Sequence, residues 1–224
     1  MKMIETVTRA PVRLLILVIL SWVVTGCAVG NKYSYQDSDI AIRVQGTGQL
    51  GVAVVDNRPY VLNGDKSPAF IGLQRGGFGN PFDVSTSSGK PLAQEVRGAL
   101  ATALRKRGFL VTELSASSSD DLAKMMAVES TGVSRNIFLS IREWKTDAMA
   151  RLGLSYDLLL QVVEIDGDVL ASTSSQGSKE SLGPGGFEEQ NALLAKRALA
   201  TKIEALFNDP AIRAVLTADS RSTQ

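Results

Sequence analysis

Two periods alternate along this chain. QLGVAVVD (Gln49 to Asp56) is an unbroken, β-branched apolar run closed by the proline of NRPY, and it predicts a buried strand. FLVTEL (109–114), NIFLSIREWKTDAM (136–149), LGLSYDLLLQVVEIDG (152–167) and DVLASTSSQGSKES (168–181) also read as strands. The Asp166-Gly167 pair between the last two marks a hairpin. Between them the period lengthens. KPLAQEVRGALATALRKRGF places Leu92, Val96, Leu100 and Leu104 on one stripe, with proline at the start and Gly108 past a basic last turn, as a helix requires. SSSDDLAKMMAVES (117–130) carries a serine cap and acidic first turn of a second helix. A third is predicted over FEEQNALLAKRALATKIEALFND (187–209), where Pro210 ends it. The order β-α-β-α-β-β-β-α implies an α+β fold, an α/β sandwich: one mixed β-sheet with two or three helices packed on it. The single domain is expected over residues 49–217, with 218–224 a flexible tail.

The N-terminus has a different pattern. Lys2, Arg9 and Arg13 precede the apolar run LLILVILSWVV (14–24), which ends at VTGC. That is the layout of a signal peptide, residues 1–26, too short for a spanning helix of about 20 apolar residues. The VTGC motif resembles the lipobox of bacterial lipoproteins, whose cysteine receives diacylglycerol and then an acyl chain such as palmitate. This resemblance implies a lipidated Cys27 as the new N-terminus. Ala28 stands where an inner-membrane retention signal would place aspartate, so outer-membrane localisation facing the periplasm is expected. Residues 27–48 read as the lipidated cysteine and a polar tether, whose flexible reach would be roughly 25 Å. Within it IAIRV (40–44) leaves an edge strand open.

Composition narrows the chemistry. Without its first 26 residues the 224-residue chain keeps 198, and the loss of three basic groups and Glu5 turns a formal charge of +1 into −1. This balance argues against nucleic acid as a partner. There is no histidine, and Cys27 is the only cysteine, which excludes a Ser-His-Asp triad, a Cys-His pair and His- or Cys-rich zinc spacings. No cofactor or metal is expected, and the chain reads as a non-enzyme. A carboxylate pair, Asp56 with Asp83 or Asp157, is the residual hydrolytic option.

The long segment 59–88 lacks a clear period. Its FIGLQRGGFGNPFDVSTSSGKPL (70–92) invites comparison with a phosphate loop, yet a Walker pattern would need glycine at Val84 and Ser or Thr at Pro91. GTGQLG (46–51) fits the letters of a dinucleotide fingerprint but leads into a strand, not a helix, and is read as a turn. Loops this long are usually functional or disordered, and this one is aromatic and arginine-bearing. Two readings follow: an Ω-loop packed on its own domain, or a partner-binding surface of Arg75, Phe78, Asn80, Phe82 and Asp83. Asp56 and Arg58 form a local ion pair near the strand end in the simplest reading. Trp144 with Arg142 forms a cation-π contact or core packing.

Several blocks together, VAVVDNRP (52–59), GALATALRKRGF (98–109), LSIREWKTD (139–147) and the helix ending LFND (206–209), resemble the YajG-like family of bacterial outer-membrane lipoproteins. The resemblance implies a lipid-anchored α/β domain of uncharacterised role, with no catalytic residues to carry over. The expected function is a non-catalytic interaction or assembly module of the cell envelope, with the membrane held through lipid and an envelope protein as partner. Self-association stays open. The alternative is a carrier of a small envelope ligand, such as lipid, glycan or peptide, in a cleft between sheet and helices.

Overall fold

The computed structural model describes residues 30–115, 133 and 135–218. The signal peptide, Cys27, the helix expected over 117–130 and the last six residues lie outside them. In chain order the elements begin with β1 (Lys32–Tyr33), β2 (Gln49–Asp56), α1 (Pro59–Leu62), β3 (Phe70–Arg75) and β4 (Pro81–Thr86). Next come α2 (Leu92–Lys106), β5 (Leu110–Leu114), β6 (Arg135–Ala148), β7 (Arg151–Glu164) and β8 (Val169–Pro184). Two helices close the chain, α3 (Glu188–Phe207) and α4 (Pro210–Ala218).

β6 organises the eight-stranded mixed sheet. One edge pairs antiparallel with β7, which pairs antiparallel with β8. The other edge is shared. β2 runs parallel to the first half, from Leu50 opposite Arg135 to Asp56 opposite Ile141, and β5 extends it. β3 runs parallel to the last residues, from Gly72 opposite Thr146 to Gln74 opposite Ala148, and is extended by β4 and β1. The α+β fold of the sequence reading is therefore present.

Alternation builds the core. Along β7 every second residue from Leu152 to Val162 is buried, so one face meets the helices. β6 keeps the same face inward by a bulge between Ile141 and Glu143. Ile137, Leu139 and Ile141 are buried before it and Trp144, Thr146 and Ala148 after it. The extra residue changes parity, which turns Arg142 outward and Trp144 into the core. α2 contributes Leu92, Val96, Leu100 and Leu104, all fully buried, and α3 contributes Leu199, Ile203 and Phe207.

Three differences from the sequence-based expectation concern the tether, the long loop and Pro210. The expected tether is packed on the domain from residue 30 onward: Tyr33, Tyr35, Ile40, Ile42 and Val44 are buried. They alternate with polar residues, and burying each such side chain stabilises by about 1.5–3 kcal/mol. Apart from β1 this strap has no strand partner, and three carboxylates take its amides: Lys32 N–H donates to Glu188 (2.6 Å), Tyr35 N–H to Glu95 (2.7 Å) and Ala41 N–H to Glu204 (2.7 Å). IAIRV forms no strand there. The long loop 59–88 is instead α1 followed by the antiparallel β3–β4 hairpin. Pro210 does end α3, yet it also opens α4, where a missing N–H costs nothing.

Candidate interaction surface

The five candidate residues all lie on the β3–β4 hairpin. The hairpin turns through Gly76–Gly79, where Gly79 N–H donates to Gly76 O (2.8 Å) and Gly76 N–H to Asn80 O (2.9 Å). Gly79 has φ +82°, a conformation that other residues resist. Arg75 forms a two-pronged pair with Asp147 of β6, Nε to Oδ1 at 2.8 Å and Nη2 to Oδ2 at 2.6 Å. Its guanidinium is held above its ordinary pKa by that hydrogen bond and charge. Asp83 accepts two bonds from Lys66 Nζ (2.7 and 2.8 Å). Phe82 is half-buried, and a Cβ on Gly76 would stand 3.1 Å from its ring. Arg75 and Asp83 thus hold the hairpin to the protein, while Phe82 packs across the hairpin's own turn. Phe78 and Asn80 remain exposed, Phe78 completely.

Asp56 and Arg58 meet as read from the sequence, and they occupy the seam where β6 passes from β2 to β3. Arg58 is fully buried. Its Nε and Nη2 donate to Asp56 (2.7 and 2.6 Å), Nη1 to Phe70 O (2.5 Å) and Trp144 O (3.4 Å), and Nη2 to Pro68 O (3.1 Å). The side chain fills the fork that two strands on one edge leave open. Burial lowers the guanidinium pKa, but the Asp56 hydrogen bond and charge outweigh it and the net shift is upward. Next to this plug, Trp144 donates its indole N–H to Tyr35 Oη (2.9 Å), and the rings meet edge-to-face at 5.9 Å and 84°. Burial pushes the Tyr35 phenol well up and that of Tyr33 up to about 12, so both stay neutral.

The carboxylates offered as an acid-base pair are separately engaged: Asp56 with Arg58, Asp83 with Lys66, while Asp157 of β7 lies on the open face of the sheet. Beside Asp157 is a surface cavity of about 710 Å³ lined by Glu143, Lys145, Gln176 and Lys179 among others. Smaller cavities of about 380 and 340 Å³ border α2. The cleft that a carrier would need between sheet and helices is filled by Leu92, Leu100, Trp144, Leu158 and Phe207, each fully buried. Among the described residues, no group of three or more His, Cys, Asp and Glu is placed to hold a metal, and no helix is long and apolar enough to cross a membrane.

The structure adds surface residues that the sequence reading missed. Met149 in the β6–β7 turn and Phe187 between β8 and α3 are 57% and 86% exposed. Their turn-like surroundings, AMAR and GPGGFEE, were the available signal. At the opposite end of the sheet the β7–β8 turn exposes Ile165, and the start of β8 exposes Val169 and Leu170.

No family model and no curated protein matches the chain. Among solved structures it is similar to protein XCC0632 from Xanthomonas campestris, described by the family model DUF330 (11% identity over 85% of this chain and 95% of that one, TM-score 0.49). It is also similar to the PelC dodecamer from Paraburkholderia phytofirmans (12% identity, 72% and 89% covered, TM-score 0.37). A third is lipoprotein GNA1162 from Neisseria meningitidis (12% identity, 70% and 99% covered, TM-score 0.30). With identities this low and TM-scores this small, these loose likenesses pass no activity, partner or assembly to the chain. The YajG-like resemblance rests on the sequence blocks alone.

Proposed function

We propose that this protein is a lipid-anchored lipoprotein of the bacterial outer membrane, facing the periplasm, whose domain is a non-catalytic interaction module of the envelope. One observation supports it above others: how soon after Cys27 the chain is packed on the domain. Gly30 lies against the backbone of Asp83, and Asn31 O accepts from Ser85 N–H (3.1 Å), only three residues after the lipobox Cys27. Three residues span at most about 10 Å, so a lipid on Cys27 holds one end of the sheet at the bilayer. Each buried acyl methylene contributes about 0.8 kcal/mol, and two or more chains make the attachment stable. Of the carboxylates named for hydrolysis, Asp56 is committed to Arg58 at the seam and Asp83 to Lys66 at the hairpin, so neither is paired with Asp157 on the open face of the sheet. The surface left to a protein partner is the far end, where Ile165, Val169 and Leu170 stand roughly 45 Å away along β7.

The experiment is metabolic labelling with an alkyne palmitate analogue, followed by membrane fractionation, on the natural chain and Cys27→Ser. Label and outer-membrane recovery of the natural chain alone are expected; an unlabelled, soluble natural chain removes the anchor. In-cell photo-crosslinking from Ile165 tests the module. A discrete envelope protein is the expected product, and capture of none removes that part of the reading.

A further inference from the structure

We infer that the end of the sheet nearest Cys27 is a lipid-docking surface, in which Phe78, Met149 and Phe187 enter the interfacial layer of the membrane that carries the anchor. The inference rests on the anchor reading for the direction the molecule faces, and it names a contact that the anchor alone does not make.

The three residues come from three separate loops that the fold gathers at one end. Gln74, the last residue of β3 that pairs with β6, ties these loops together. It lies opposite Ala148, and its Nε2 donates to Ala148 O (3.3 Å), next to Met149. Its Oε1 accepts from Asn31 Nδ2 (3.2 Å), where the chain arrives from Cys27, and from Asn191 Nδ2 (3.4 Å) in the first turn of α3, next to Phe187. Gly185 N–H donates to Ala150 O (2.9 Å), joining the loop of Phe187 to that of Met149. Phe78 stands one turn beyond Gln74.

Each of the three is large, apolar and exposed, Phe78 completely so. A single exposed apolar residue is ordinary. Three on three loops, at the end where the chain comes within three residues of a lipidated cysteine, have one nearby apolar medium to enter. Aromatic rings suit the boundary between headgroups and acyl chains. Charge does not select this end: Lys32, Arg75 and Arg151 are offset by Asp147, Glu188 and Glu189. Docking is therefore expected to persist in high salt, unlike the attachment of a polybasic patch.

The test places a reporter at each end. Removal of the signal peptide takes Trp22 away and leaves Trp144, which is fully buried, as the background fluorophore. Phe78→Trp, Phe187→Trp and, as a far-end control, Val169→Trp are made in two forms of the mature chain. One is the native lipoprotein in vesicles of phosphatidylethanolamine and phosphatidylglycerol containing bromolipid. The other has Cys27 replaced by a hexahistidine tether on the same vesicles with nickel-chelating lipid added. Flotation reports attachment, and bromolipid quenching reports docking.

Quenching at positions 78 and 187 but not 169, in both forms and in high salt, is expected, and Phe78→Ser lowers the docked-to-undocked ratio of the tethered chain roughly tenfold. Unquenched tryptophans on chains that do float overturn the proposal. A native form that fails to float, beside a tethered form that is quenched, removes the lipid anchor and leaves the docking surface standing. A photo-crosslinker at Phe78 that captures an envelope protein or a second copy in cells, in place of lipid, also overturns it.

Discussion

The two halves of β6 face different tasks. Its first half is flanked by β2 and β5 and ends, beyond the β7–β8 turn, in Ile165, Val169 and Leu170. Its second half is flanked by β3, β4 and β1 and ends in Phe78, Met149 and Phe187, three residues' reach from Cys27. Both ends expose apolar side chains; only one is near Cys27, the position of the proposed anchor. Exposure alone therefore says little about function, and position relative to the point of attachment separates a membrane contact from a protein contact. The seam between the halves is where Arg58 sits.

Arg58→Ala should break the comparison most strongly. Removing one member of a buried, multiply bonded ion pair costs about 3–5 kcal/mol. Denaturant unfolding should show that loss, and hydrogen exchange should rise first in β3 and β4, whose carbonyl at Phe70 loses its donor. If protection falls equally in β2 and β5, the halves are not separable at this seam.

Phe78→Ser with Phe187→Ser should leave the unfolding midpoint unchanged while vesicle partition of the mature chain falls roughly a hundredfold, each ring contributing about tenfold. The paired Val169→Ser and Leu170→Ser changes should spare partition and abolish crosslinking from position 165. An exchange of these outcomes would invert the orientation proposed for the molecule.

Tyr35→Phe removes the acceptor of the Trp144 indole N–H and should cost about 1–3 kcal/mol, the range for a buried polar group left unpaired. The measurement of interest is whether the strap of residues 30–48 loosens by hydrogen exchange while the far half of the sheet stays protected.

The smallest effect concerns Glu180 of β8, which joins α3 through Lys202 (2.6 Å) and accepts from the Tyr156 hydroxyl (3.0 Å). The Lys202 hydrogen bond holds the Glu180 pKa below its ordinary value of 4.5. With the folded pKa depressed, this contribution is present above about pH 4.5 and is lost as pH falls through the folded value. The pair is partly exposed, so about 0.2–1 kcal/mol is at stake. Glu180→Gln should flatten stability against pH in that acid window and nowhere else.

Much of this fold was legible where one period ran undisturbed. β7 places an apolar residue at every second position from Leu152 to Val162, and α2 carries its stripe between a proline and a glycine. The β3–β4 hairpin was not, because its glycine-rich turn and polar strand faces give no period until β6 supplies the edge they pair with. The strap was hidden differently: Tyr33, Tyr35, Ile40, Ile42 and Val44 sit among residues that read as solvated, and the acceptors for its amides, Glu95, Glu188 and Glu204, lie far away in sequence. At the candidate surface the residue types were visible but their engagement was not. Arg75 is fixed by Asp147, 72 positions on, and only the folded sheet brings Met149 and Phe187 to the end where Phe78 stands.

The strap has a mechanical consequence. β1 runs away from the Cys27 end alongside β4, so, with the proposed lipid on Cys27, tension would be directed along the strand and would load its hydrogen bonds in shear, with Tyr33 and Tyr35 acting as pegs behind it. A domain joined in this way is mounted at a set height and angle and does not swing on a cord. Under the proposed anchoring, whatever meets its far end would have to come to one distance from the membrane to do so.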